Sequence, residues 1–294
     1  MRTRENVKQA YIDLLLSDAV RGQQDESVKA FRRHLEQAQG FYDAGSRARF
    51  DVTKALVDLG NAELALVEAE SEIDTAKATL LNTLGVTDMD TDFDVAMPSW
   101  DISADSGFSD LALQNRADYR AAELRTLSGQ STLKAEARYA SPTVTLRGGW
   151  NETGSQINNL DAGWNTALSL SVPIVDGGVA RARVDVAGAQ IQSLLSAQET
   201  LRQNIILETR KAELAVKNAR AGMRITELTV LQAEENYELA EGRYETGVGS
   251  PLELTDALLS LTDARLASYR ARYNFNNALI NLERATGTEI TVAR

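Results

Sequence analysis

The 294-residue chain reads as mainly α with a small β part: long antiparallel coiled-coil helices joined to one β-hairpin suited to a transmembrane β-barrel. Three observations lead there. First, a helical unit at 42–85 recurs without a gap at 244–287, where Tyr42/Tyr244, Gly45/Gly247, Thr53/Thr255, Leu56/Leu258, Leu59/Leu261, Ala62/Ala264 and Gly85/Gly287 coincide. Second, alanine returns every seventh residue in each copy, as Ala55, Ala62, Ala69 and Ala76, then as Ala257, Ala264, Ala271, Ala278 and Ala285. Three positions ahead runs a bulkier series, Val52, Leu59, Leu66, Ile73 and Leu80, answered by Leu254, Leu261, Ser268, Phe275 and Leu282. A seven-residue apolar period follows a left-handed supercoil, and alanine on the seam lets helices approach closely. Third, two segments near the middle alternate apolar and polar residues with the period of two that marks strands.

Composition narrows the function classes. A net charge of −11 leaves no concentrated basic stripe for a phosphate backbone, so no nucleic-acid partner is expected. With no cysteine and only His34, thiol catalysis, zinc clusters and a Ser-His-Asp triad lose most of their material, and no enzyme, metal or cofactor is expected. Freedom from cysteine suits an envelope protein that must avoid stray disulfides. No run approaches the roughly 20 apolar residues that a spanning helix needs, so any membrane crossing must be made by strands. Met1, Arg2, Thr3, Arg4 and Glu5 open the chain without an apolar signal-peptide core, so either the protein is not exported or its true start is missing.

In chain order, 4–41 reads as the helix that partners the first copy, and 1–85 as a first helical hairpin. Gly45 and Ser46 turn the chain, and the next helix should start within Ser46 to Asp51. The 86–110 stretch is an irregular connector with Asp88, Asp90, Asp92, Asp94, Pro98 and Trp100. Those aspartates alternate like a calcium loop, but Phe93 stands where the loop needs glycine and Ser99 where it needs glutamate, so calcium is not expected. Helical spacing resumes at Leu111 and runs to Arg138, within a 111–142 segment.

Two strands follow in 143–173. Over Thr143 to Asn151, Val144, Leu146, Gly148 and Trp150 oppose Thr145, Arg147 and Asn151; over Trp164 to Val172, Trp164, Leu168, Leu170 and Val172 oppose Asn165, Ala167, Ser169 and Ser171. Each is close to the 9 to 11 residues of a tilted bilayer-crossing strand, and Trp150 and Trp164 suit a membrane-interface girdle. Polar Glu152 to Gly163 should be an exposed loop. Two strands alone leave unpaired edges in lipid, so several chains must close one barrel. The rival is a soluble hairpin packed on the helices, as in a coiled-coil scaffold or adaptor without channel activity.

A very long helix is predicted from about Val179 to Tyr244, roughly 100 Å at 1.5 Å per residue. Ser250, Pro251 and Glu253 then supply an N-cap, a proline at the first helical position and a capping-box glutamate. Together they make 174–288 a second hairpin, with 289–294 as a tail.

The order of long helix, hairpin, long helix and tip resembles the TolC-like outer-membrane efflux proteins of tripartite efflux and type I secretion systems. Asn115, Arg116, Ala117, Asp118, Tyr119 and Arg120 resemble that family's segment before the strands. Val172 to Gly178, with Pro173, Asp176 and Gly177, resembles its strand-to-helix elbow, and Tyr244 to Gly249 with Glu253 to Ala257 its tip. The resemblance implies helices forming a periplasmic α-barrel, a homotrimer in the outer membrane of a Gram-negative bacterium, and export of small toxic molecules or proteins. The implied partners are a periplasmic adaptor and an inner-membrane transporter. It further implies that the family's first strand pair and signal peptide should lie before residue 1; an assembly with more subunits is the alternative.

By position, the resemblance makes Asp51, Glu253 and Asp256 candidates for a periplasmic gate and lumen lining, with Tyr244 and Asp51 as a pair linking neighbouring hairpins. The plain alternatives are helix capping for Glu253 and a packed tyrosine for Tyr244. The family's gate arginine falls at Gly249, so that link is absent or replaced by Arg47 or Arg49. Gly45, Ser46, Gly247, Val248, Gly249 and Ser250 are the candidate adaptor-docking tips.

Overall fold

The computed structural model describes residues 2–88, 107–156 and 159–288. Its elements are α1 (Arg2–Asp43), α2 (Arg49–Leu84), α3 (Phe108–Asn115), α4 (Ala117–Glu136), β1 (Thr143–Gln156), β2 (Asn159–Ser171), α5 (Val179–Glu245) and α6 (Pro251–Thr286). They fall into two compact units, residues 1–115 with 205–294, and residues 116–204.

In the first unit the repeat is exact to the residue. The ends of α1 and α5, and both ends of α2 and α6, are displaced by the same 202 residues that separate Arg47 from Gly249. Each turn closes alike: Gly45 N–H donates to the Tyr42 carbonyl and Gly247 N–H to that of Tyr244, while Ser46 and Val248 N–H donate to Phe41 and Arg243. Gly45 and Gly247 sit at φ 72° and 75°, a left-handed conformation that a side chain would strain.

The alanine series form the packed seams. Ala55 buries against Ala38, Val52 and Leu35, while Ala257 joins Ala240, Tyr244 and Leu254. Near the other end, Ala278, Leu279, Leu282 and Ala285 of α6 pack on Ala212 and Val216 of α5, with Phe108 of α3 against the same cluster. Lys8 and Glu283, 2.6 Å apart, tie α1 to α6.

In the second unit, β1 and β2 pair antiparallel, with Val144 opposite Leu170, Leu146 opposite Leu168 and Trp150 opposite Trp164. The register therefore stacks the apolar alternates on one face and Thr143/Ser171 and Thr145/Ser169 on the other. The expected loop from Glu152 to Gly163 is corrected, because pairing continues through Asn151/Gly163, Glu152/Ala162 and Thr153/Asp161 to Gln156/Asn159. Polar composition does not stop a ladder whose bonds are all backbone, and the polar ends of barrel strands have this character. A Cβ at Gly149 would lie 2.9 Å from Oδ1 of the cross-strand Asn165, whose side chain would turn aside.

The continuous helix expected over Leu111 to Arg138 is also corrected. It breaks at Arg116, whose extended backbone (φ −71°, ψ 120°) separates α3 from α4. The Arg116 guanidinium forks onto Asp118 at 3.0 and 2.7 Å and holds that carboxyl below the usual range, while Asp118 also accepts from Tyr119 N–H. A side-chain interaction thus competes with helix continuation, which periodicity cannot register. The Asp90, Asp92 and Asp94 series, Pro98, Trp100 and the 289–294 tail lie outside the described residues.

At the strand-to-helix elbow, Gly177 and Gly178 adopt positive φ, and Asp176 caps α5. Its carboxylate accepts from Ala180 N–H at 2.7 Å and Gly178 N–H at 2.9 Å, which lowers its pKa. A lowered pKa means that the cap is complete above the ordinary aspartate range and is lost as pH falls through the depressed value. Amide resonances of Gly178 and Ala180 should titrate together at that lower pH, and Asp176→Ala should abolish the titration. For the seam, Ala55→Leu should lower unfolding stability by about 1–3 kcal/mol in chemical denaturation, because a well-packed site has no room for the added carbons.

Candidate functional site

The two tips meet in one cluster. Tyr244, at the end of α5, is wholly buried, with its ring edge-on to Phe41 (centroids 5.5 Å) and to His34 (5.2 Å), both on α1. Arg47, from the first turn, lies over the Tyr244 ring at 5.2 Å and donates to the Gly249 carbonyl at 2.6 Å. One guanidinium therefore joins the turn of the first copy to both the aromatic seat and the backbone of the second. Of Arg47 and Arg49, Arg47 is the one that reaches the second turn.

Gly249 is as specific as its partner. A Cβ there would sit 2.9 Å from the Arg243 carbonyl carbon and from the Tyr244 nitrogen, and Gly249 N–H donates to the Arg243 carbonyl at 2.7 Å. Ser250 Oγ accepts from Glu253 N–H at 3.1 Å, and Pro251 opens α6, as the sequence indicates. The capping box is half formed: the Glu253 carboxylate accepts from Arg243 Nε at 2.9 Å instead of reaching back to the Ser250 nitrogen. Arginine offers that carboxylate a charged partner across the turn, which a backbone N–H does not match.

Asp51 and Tyr244 are neighbours without a hydrogen bond between them. The Tyr244 hydroxyl has no partner among the described residues; burial pushes its pKa up, with Arg47 opposing and Asp51 adding to the rise. Glu253 and Asp256 share the exposed side of α6, and Asp51, half-buried, occupies the first turn of α2. Gly45, Ser46, Gly247, Val248 and Ser250 are exposed, whereas Gly249 is buried.

Sequence reasoning did not assign His34 to this cluster. Both ring nitrogens are buried without a hydrogen-bond partner among the described residues, and burial holds its pKa down, with Asp58, Lys54 and Asp51 of α2 as the charged groups facing it. Beside it, Thr255 Oγ1 donates to Asp58, which also pairs with Lys54. A single histidine carries no sequence pattern, so only its position one face away from Tyr244 reveals it. Below the tips, a cavity of about 430 Å³ between α1, α5 and α6 contains the Arg265–Glu234 pair and Tyr237, whose hydroxyl bonds Glu241 and is pushed up to about 12, chiefly by burial.

The hairpin carries the other candidate residues. Trp150 is 66% and Trp164 75% exposed, and Val144, Leu146, Leu168 and Leu170 are exposed with them. Among the described residues, nothing buries this apolar face. Among the described residues, no helix is long and apolar enough to cross a membrane.

A family model for outer membrane efflux proteins matches residues 2–86 and 108–288. The chain belongs to the outer membrane efflux protein family. It is 28% identical over 179 residues to outer membrane protein OprJ of Pseudomonas aeruginosa, covering 60% of this chain and 37% of OprJ. It is 27% identical over 244 residues to nodulation protein T of Rhizobium leguminosarum, covering 79% of this chain and 51% of that protein. The chain thus spans between about a third and a half of the length of these relatives. In fold it is similar to the MtrE outer membrane channel of Neisseria gonorrhoeae in its open state, with a TM-score of 0.82 at 21% identity over 98% of this chain and 66% of MtrE. The fold is that of the TolC-like α-barrel channels, and the location is the outer membrane with extension into the periplasm. The family is one of channels, not enzymes.

Two substitutions test the tip. Gly249→Ala should destabilise the second turn by about 1–3 kcal/mol, since backbone must move to admit the methyl group. Arg47→Ala should leave the helices intact but speed amide exchange at Gly247 to Ser250.

Proposed function

We propose that this protein is an outer-membrane exit duct for small toxic molecules or proteins, working as a homotrimer with an inner-membrane transporter through a periplasmic adaptor. The hairpin carries the proposal most directly. Apolar residues stacked on one exposed face, a pair of tryptophans in register, and open strand edges are what a stave of a lipid-facing barrel presents, and neighbouring chains supply the missing edges. Family membership supports the same reading. In it, 143–173 belongs to the barrel wall, and the hairpins at 1–85 and 174–288 wall the periplasmic tunnel.

A soluble scaffold would need its apolar strand residues covered, and here they are open. Transport through such a duct requires no bond to be made or broken, so function resides in lining and closure. Asp51, Glu253 and Asp256 form the proposed acidic lining near the gate; Tyr244 acts from beneath as the seat on which the tips close. Repeated around a ring, three carboxylates per chain favour cations. Gly45, Ser46, Gly247, Val248 and Ser250, with Gly249 fixing their turn, form the proposed adaptor-docking tip.

The complete gene product should fractionate with the outer membrane as an oligomer that resists heat in detergent; a monomer in the soluble fraction would refute the duct. In planar bilayers, Glu253→Ala with Asp256→Ala should weaken cation preference. Unchanged selectivity would return both carboxylates to a capping or surface role.

A further inference from the structure

The chain's only histidine lies in the joint between the two copies. His34 is 4% exposed, and neither ring nitrogen finds a hydrogen-bond partner among the described residues. Tyr244, whose ring packs edge-on against it, buries its hydroxyl in the same condition. Polar atoms shut from water without partners forfeit hydrogen bonds that the unfolded chain would make. Neighbouring buried positions on α1 avoid that loss by being apolar, as Ala30, Phe31 and Ala38 are. The imidazole therefore weakens the joint it occupies and brings a titratable group into it.

Neutral, the ring is tolerated; charged, it is not. A second proton makes both nitrogens donors and places a charge where water is excluded. The groups facing it come from every side of the joint. Helix α2 contributes Asp58, Lys54 and Asp51, α5 contributes Tyr244 with Arg47 over that tyrosine's ring, and α6 sends Thr255 to Asp58. Among the carboxylates, Asp58 acts on His34 most strongly, and it is already engaged by Lys54 at 2.9 Å and by Thr255 Oγ1 at 3.3 Å. An imidazolium is relieved either by drawing Asp58 away from Thr255 or by moving from under Tyr244 to water. The first breaks the hydrogen bond between α2 and α6, and the second breaks the ring contact between α1 and α5. Either one loosens the joint.

We propose that His34 is a proton-operated latch, whose protonation releases the hold of α1 and α2 on Tyr244 and Thr255 beside the tip. Burial, and then Lys54, hold the His34 pKa below the ordinary 6.5, while Asp58 and Asp51 oppose them. The joint is therefore at full strength above 6.5 and weakens as pH falls through the lowered value. Arg47 keeps its charge throughout and stays as a second fastening to Gly249, so acid loosens the tip without unfolding it. The latch is a property of contacts within one chain, and its test is separate from the oligomeric reading above.

One histidine and no cysteine make the test direct. With carbon-13 histidine in the full chain in detergent micelles, a single imidazole resonance should titrate with a midpoint below 6.5. Spin labels at Phe50→Cys and Val248→Cys, both 72% exposed, report the joint when labelled chain is diluted into unlabelled chain. Their distance distribution should broaden as pH falls, with the same midpoint as the imidazole. His34→Phe, which keeps a ring in the slot, should abolish the broadening. Broadening that persists unchanged in His34→Phe would assign the response to carboxylates and overturn the latch, as would an imidazole that titrates at 6.5 or above, or one that titrates low while the distances stay fixed. Should His34→Phe fail to fold, Asp58→Asn removes the opposing charge and should move both midpoints to lower pH together. A shift in only one of them would overturn the latch as well.

Discussion

Close approach of helices along alanine is the constraint on which everything else rests. A helix of 67 residues cannot persist in water on propensity alone; it needs a partner along its flank. Alanine at each seventh position lets that partner come near, and the larger residues three positions earlier fill the space beside it. Left-handed glycines at the tips then return the chain at an angle that keeps both seams in register. The tip cluster exists because those turns deliver Arg47, Phe41 and Tyr244 to one place.

Much of this was legible in the residues themselves. The repeat, the helix boundaries that follow it, the proline-bearing tip and the alternation of the strands are all periodic or chemical signals, and the structure reproduces them at Val179, Pro251 and Thr143. What periodicity did not carry was decided by particular side chains. Arg116 interrupts a helix because it finds Asp118 two residues on, and Arg243 takes the Glu253 carboxylate away from the backbone it was expected to cap. The polar run after Asn151 stays in the ladder because strands need backbone partners more than they need apolar residues. His34 was invisible as a site residue for a different reason: the ring it packs against, Tyr244, lies 210 residues away in sequence.

The tip and the hairpin keep order in opposite ways while leaving side chains exposed. At the tip, order comes from inside, through a buried aromatic seat and a guanidinium bound to a carbonyl, while the outward carboxylates stay in water. On the hairpin, order comes chiefly from the backbone ladder, and the side chains are left bare on the apolar face.

The uniform 202-residue displacement also limits how such a molecule can change in size. Helices α2 and α6 are each 36 residues long and close on equivalent glycines, so their turns stay matched only while their lengths do. Loss or gain of a heptad in one would slide Arg47 past Gly249 and rotate nothing back into place. The same change made in both would preserve every pairing, so natural variation in length should arrive in matched steps, with the two halves growing or shrinking as a couple.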